Sequence, residues 1–300
     1  MSAALKVMQK FMRALDETTL IGRAAVDEAI RSCSTFDGLD GLIENFIADC
    51  ESASTAEEFL LDKCGIDLDN EDTGAITGSD AGGSIVKTAK SIIPGKSGAV
   101  DYPEGTSFEL DGLSVNVPSR NTLDDVQQRI IRDLYGWQLK GAFDLIKESY
   151  GDNYSFDPRG AAKVRTLEIK FVSSGAFMAR AGHRYALRTG ETTALALQIN
   201  TGYCDADGQW SGEVSFERVL AHEMTHAVMA ANINYYSELP SFIKEGVAEL
   251  THGIDDQRRA AIESLSKDAT NLRAALSSSG GMMYTAGYML MRYFARQAAR

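Results

Sequence analysis

Cysteine is scarce, with only Cys33, Cys50, Cys64 and Cys204 in 300 residues. That is too few for a disulfide scaffold at this length. The spacings match no C-x-x-C zinc site, so the four read as buried or half-buried thiols, small hydrophobes in effect. One disulfide among the first three is the alternative. Long apolar runs are also missing, and none approaches the roughly eighteen residues that a membrane helix needs. Positive charge is in deficit: 30 lysines and arginines against 42 aspartates and glutamates leave a net charge of −12. A fold-wide basic footprint is therefore excluded, and nucleic acid and anionic lipid drop out as default partners. The stretch from Met1 to Lys10 lacks the apolar segment and small-residue cleavage site of a secretory signal. The expectation is retention in the cell, export by a route without such a signal, or a trimmed start. There is no G-x-S-x-G elbow and no persuasive Cys–His pairing, so a covalent acyl-enzyme is not implied.

What the chain does have is an ordinary globular balance, 44% hydrophobic and 24% charged. The first third reads as helices. Leu5, Met8, Met12 and Leu15 recur on one face, and further helical stretches cover about 20–33, 38–50 and 56–63, with Asp37 and Ser54 as caps. Residues 66–105 are turn-rich and poor in large apolar groups, which marks a linker or extended segment. A strand or hairpin is expected over 106–118, where Phe108, Leu110, Leu113, Val115 and Val117 largely alternate. A long helix over 122–150 follows, then strands at 163–173 and near 184–200, then helices from 214 onward. The pattern predicts an α+β core over 106–300, containing a small sheet, behind a helical region at 1–65.

Residues 222–226 read His-Glu-Met-Thr-His within a helical stretch. Positions i and i+4 share a helix face, so His222 and His226 can both offer ring nitrogens to one ion. Glu223 is rotated by about a hundred degrees from His222, where it can polarise a bound water. The bland alternative is a helix whose histidines are satisfied by core hydrogen bonds. A third ligand would separate the two. Met229 and Asn232 occupy the positions where a metzincin needs glycine and histidine, which removes that class. Instead, Pro240 to Leu250 forms a second helical stretch carrying Glu245 and Glu249, four apart and so on one face. The eighteen residues between His226 and Glu245 leave room for the second helix to turn back, and Gly246 would permit close helix approach.

His222-Glu223-x-x-His226 followed by Glu245-Gly246-x-Ala248-Glu249 resembles the gluzincins, zinc metallopeptidases with a His-His-Glu site. The resemblance implies a zincin-like core with a small mixed sheet, an active-site helix and a C-terminal helical subdomain. It implies one catalytic Zn2+ held by His222, His226 and Glu245, with Glu223 as general base. Glu249 would then accept from the far ring N–H of a ligand histidine. Tyr284-Thr-Ala-Gly287 is similar to a Tyr-x-x-Gly of the aminopeptidase branch, whose phenol steadies the oxyanion; Tyr284 takes that role and Tyr288 is its reserve. The Gly-x-Met-Glu-Asn segment by which that branch holds a free amino terminus is absent, so the expected activity is endopeptidase, on a protein or peptide substrate. Residues 192–200 are expected to be an edge strand that pairs with the substrate backbone. His252 reads as a helix-end histidine. The stretches around the site also resemble the metallopeptidase domain of flagellinolysins over about 106–300, which implies display outside the cell without a cleaved signal.

Two rival readings stand beside this one. One is a non-catalytic module on the same fold, for which Glu223 would have no use. The other is a zinc hydrolase acting on an ester or non-peptide amide, since the metal chemistry is shared. Asp67, Asp69, Asn70, Glu71 and Asp72 crowd oxygen ligands before Gly74, which raises Ca2+ as a cofactor. Asp72 stands where an EF-hand loop needs its glycine, and a solvated acidic loop is the simpler reading. Residues 1–65 are left as a pro-region, a docking module or a packing partner.

Overall fold

The computed structural model describes residues 36–68, 101–150, 156, 164–205, 210–211, 214–254 and 257–298. The helices expected before residue 36, Cys33, and Asp69 to Asp72 lie outside the described residues. In chain order the elements are α1 (Phe36–Ser52), α2 (Ala56–Glu58), β1 (Ser107–Leu110), β2 (Leu113–Asn116), α3 (Asp125–Asp133) and α4 (Leu139–Tyr150). There follow β3 (Thr166–Val172), β4 (Ala179–Tyr185), β5 (Thr192–Asn200) and α5 (Phe216–Asn232). Four further helices are α6 (Ser241–His252), α7 (Arg259–Ser266), α8 (Ala269–Leu276) and α9 (Gly281–Ala298). The fold class is α+β. The described residues fall into two compact units, one drawn from Met1–Thr88 together with Ser237–Arg300, the other from Ala89–Tyr236.

The second of these holds a five-stranded mixed sheet in the order β1-β2-β3-β5-β4. β1 and β2 form the expected hairpin, turning on Asp111 and Gly112 at φ 50° and 79°. Two positive φ values in succession are what a type I′ turn requires, and Asp-Gly supplies them at low cost. β2 and β3, and β3 and β5, are parallel, while β4 is antiparallel to β5. This corrects the expectation that 192–200 is an edge strand: β5 lies between β3 and β4, and the edges are β1 and β4. The alternation in β5 reports Leu195, Leu197 and Ile199 turned into the core, and says nothing of the strand's place in the order. The helix expected over 122–150 is α3 and α4 joined by a π-helical turn at Leu134–Gln138. Asp124 opens it with a capping box closed by Gln127.

α5 is the buried centrepiece of this unit. Ser215 caps it by accepting from the Arg218 N–H at 3.4 Å, and Trp210 stacks on Phe216 at 3.9 Å between ring centroids. The hydroxyl of Thr192 on β5 donates to the Ala230 carbonyl at 2.7 Å, and the Gln138 amide donates to Glu217 at 3.1 Å. Sheet and long helix thus grip α5 near both of its ends.

The other unit is helical. α6 and α9 cross so closely that a Cβ on Gly246 would stand 2.5 Å from the Gly287 carbonyl oxygen, and one on Gly287 would strike the Phe242 carbonyl. Gly246 does permit close approach, and its partner is the glycine of the Tyr-x-x-Gly stretch. α1 packs on α9 through Phe46 and Tyr293 (5.1 Å between rings), and the Tyr293 hydroxyl donates to Asp49 at 2.8 Å. Within this unit, then, residues 36–64 are packing partners of the C-terminal helices. Asp37 lies inside α1, and α2 is capped by Thr55, which accepts from the Glu58 N–H at 3.0 Å, in place of Ser54. Arg292 is fully buried, donating to the Tyr288 hydroxyl at 3.0 Å and to the carbonyl of Gly65.

Cys50, Cys64 and Cys204 are free, the first two buried. Burial pushes the Cys50 thiol up to about 11 and that of Cys64 further, with nearby carboxylates adding to the rise for Cys50. A thiol raised in the native state contributes stability that is complete below its unfolded pKa of about 8.5 and is lost as pH climbs past it. Unfolding free energy should therefore fall between about pH 8.5 and 11, and in a timed alkylation at pH 8 read by peptide mass spectrometry Cys204 should react before Cys50 and Cys64. Gly287→Ala should lower the unfolding free energy in urea by about 1–3 kcal/mol through overpacking. An exposed helical glycine would instead gain up to about 1 kcal/mol from the same change, so the sign of the shift tests the crossing.

Candidate metal centre

On α5 the rings of His222 and His226 stand edge to face, 4.8 Å apart at 81°. Their Nε2 atoms converge to 3.1 Å. Two imidazole nitrogens each about 2.1 Å from one tetrahedral zinc are separated by about 3.4 Å, so the pair fits that ion to within a few tenths of an ångström. Glu223 lies between them in sequence, and its Oε2 accepts from the Ala181 N–H of β4 at 2.6 Å. Residue 181 pairs with Leu197 of β5 in the register, yet its N–H points to the open edge, where the carboxylate meets it. The far nitrogen of His226, Nδ1, is 2.8 Å from the Tyr236 hydroxyl. Tyr236 in turn receives the ring of His183 from β4 edge to face, at 5.2 Å and 74°. His222, Glu223 and His226 are thus brought together by one helix and addressed by one strand.

Glu245 and Glu249 lie on α6, in the other unit, Glu245 half-buried and Glu249 buried. Burial lowers the ammonium pKa of Lys244, while the neighbouring Glu245 carboxylate opposes the shift. Glu249 makes two polar contacts inside its unit: Arg258 Nη2 donates to Oε1 at 3.1 Å, and His252 Nε2 meets Oε2 at 3.0 Å. His252 is the last residue of α6, as expected. It is also buried and paired, where a solvated helix end would have sufficed. Arg258 reaches further, donating to the Gly281 carbonyl at 3.3 Å and lying over the Tyr284 ring at 5.4 Å. Tyr284 is half-buried at the start of α9, whereas Tyr288 is fully buried with Arg292. That environment makes Tyr288 a packing tyrosine and leaves Tyr284 as the candidate.

No protein family, curated protein or solved structure matches the chain. The site therefore rests on its own chemistry.

Four residues of these clusters escape a reading of spacing: Ala181, His183, Tyr236 and Arg258. Ala181 contributes only its backbone, His183 sits in a strand without apolar alternation, Tyr236 opens a three-residue 3-10 turn and Arg258 precedes α7, where no periodicity operates. Arg258 is testable at once. Removing one of the partners of a buried carboxylate leaves it less well compensated, so Arg258→Met should lower the unfolding free energy by about 1–3 kcal/mol. Glu249→Gln in the same chain should restore part of the loss, as a double-mutant cycle in urea would measure.

Proposed function

We propose that this chain is a zinc-dependent endopeptidase on a zincin-like core of the gluzincin type, with His222, His226 and Glu245 holding the ion. The observation that carries the reading is the convergence of the two Nε2 atoms on a helix whose intervening glutamate is held at a strand edge. An antiparallel edge strand lying along that helix supports the zincin-like core. The ion's contribution when bound is Lewis acidity, which polarises a carbonyl and brings the pKa of a water toward neutrality.

The chain's own residues do the rest. Ala181 engages Oε2 of Glu223, so Oε1 is the atom that takes the water's proton and passes it to the leaving amine. Tyr284 donates its phenol hydrogen to the developing oxyanion, and Arg258, over its ring and bonded to Gly281 at the start of α9, steadies it. Glu249 accepts from Arg258 and meets the His252 ring.

Wild type and Glu223→Gln, each loaded with zinc and assayed for metal, should both hold one ion per chain. Against a mixed unfolded-protein substrate the variant should cleave at least about 100-fold more slowly. Zinc in both with cleavage in neither would overturn the peptidase reading in favour of a binding module. Zinc in neither would remove the metal centre itself.

A further inference from the structure

We infer that Tyr236, resting on the zinc reading above, is the positioning residue for His226: its hydroxyl oxygen accepts the Nδ1 proton and leaves Nε2 free as the ligand atom. A metal-binding imidazole must present one bare nitrogen, and what the other nitrogen meets decides which that is. For His226 the far nitrogen meets the Tyr236 hydroxyl at 2.8 Å. The phenol is buried, 7% exposed, and the ring of His183 closes it off edge-on. Carboxylates and backbone carbonyls are the usual acceptors at such a position; a phenol is neutral and brings no extra negative charge to the ligand.

The backbone that delivers Tyr236 is constrained more tightly than packing alone requires. Tyr235 holds φ at 61°, in the left-handed region that a bulky side chain rarely enters. It is kept there by three contacts with the turn joining β4 to β5. Its N–H donates to the Gly190 carbonyl at 2.8 Å, its hydroxyl donates to the Arg188 carbonyl at 2.9 Å, and its ring covers Gly190 so closely that a Cβ there would collide with it. Gly190 itself has φ 65°. The segment after α5 is thus pinned to the hairpin, and the next residue, Tyr236, is carried to His226. Such strain persists only where surrounding structure holds it, and it clusters at functional sites.

The test uses the full chain, with zinc alone as the probe. In metal-free wild type labelled with 15N-histidine, the His226 ring should be the Nδ1–H tautomer; a predominant Nε2–H form overturns the inference without any variant. Tyr236→Phe keeps the ring and removes the oxygen. Its zinc dissociation constant, from chelator competition, should rise about 10–100-fold, with circular dichroism unchanged and the His226 nitrogen shifts moving toward a tautomer mixture. Gly190→Ala, which touches no candidate ligand, should weaken zinc in the same direction. Equal zinc affinity and equal His226 shifts in wild type and Tyr236→Phe overturn the inference while the zinc site stands. A wild type that takes up no zinc overturns the site reading and this inference with it.

Discussion

A helix buried on nearly every side can carry imidazoles and a carboxylate only if each finds a partner indoors, and that constraint organises the unit built around α5. Most of α5 is core, from Phe216 and Leu220 through Met224, Val228 and Met229. Burying an unpaired polar group costs on the order of 1–3 kcal/mol, and more for a charge. His222 and His226 meet each other, Glu223 meets the Ala181 N–H, and His226 meets Tyr236. The strand that supplies Ala181 lies at the open edge of the sheet, where alternate N–H groups have no neighbouring strand. An interior strand would have spent those donors on its ladder, and Glu223 would have had none to meet. The placement of β4, and not its sequence, is what makes the carboxylate's position stable.

The helical unit answers a related constraint by different means. Glu249 is almost fully buried, with the Arg258 guanidinium on one oxygen and the His252 ring on the other. Arg258 can reach it because it also spans to the start of α9, and α9 lies close because Gly246 and Gly287 have no side chains to hold it off. A glycine-to-glycine crossing removes two residues' worth of packing area, and van der Waals contact between the two backbones offsets this. Arg292 repeats the pattern deeper in the core, where its guanidinium ties α9 to the left-handed cap at Gly65. The charged groups of this unit thus join elements that apolar packing alone would leave free to slide.

Much of this was legible in the residues. His222-x-x-x-His226 and Glu245-x-x-x-Glu249 declare themselves because helical spacing is fixed, so sequence separation reports which side chains share a face. The turn at Asp111-Gly112 shows only in the structure, whereas the strands it joins, over 106–118, were legible in the apolar alternation of Phe108 to Val117. β4 was not, because Ala179-Arg-Ala-Gly-His-Arg-Tyr lacks both β-branched residues and apolar alternation. Its conformation is set by pairing with β5, a tertiary cause. The edge position was misassigned to β5 because alternation reports what a strand buries, never which strands flank it. Tyr236 opens a single 3-10 turn over Tyr236–Glu238 and Arg258 precedes α7, and only the fold of the connecting segments decides what such residues touch.

The β4–β5 hairpin emerges as the element on which the candidate chemistry turns. At its edge, Ala181 holds the carboxylate of Glu223; through Gly190 and Arg188 at its turn it holds Tyr235, and so places Tyr236 on His226. One two-stranded unit therefore positions the candidate base and one candidate ligand through independent contacts at separate places on the hairpin. A scaffold that merely packed α5 would need neither contact, since apolar side chains cover the helix already. Backbone donors and a buried phenol aimed at the polar face of the helix fix orientation while adding little to burial. Fixed orientation at a polar site is what a group that must present one chosen atom, Nε2 of His226 or Oε1 of Glu223, requires.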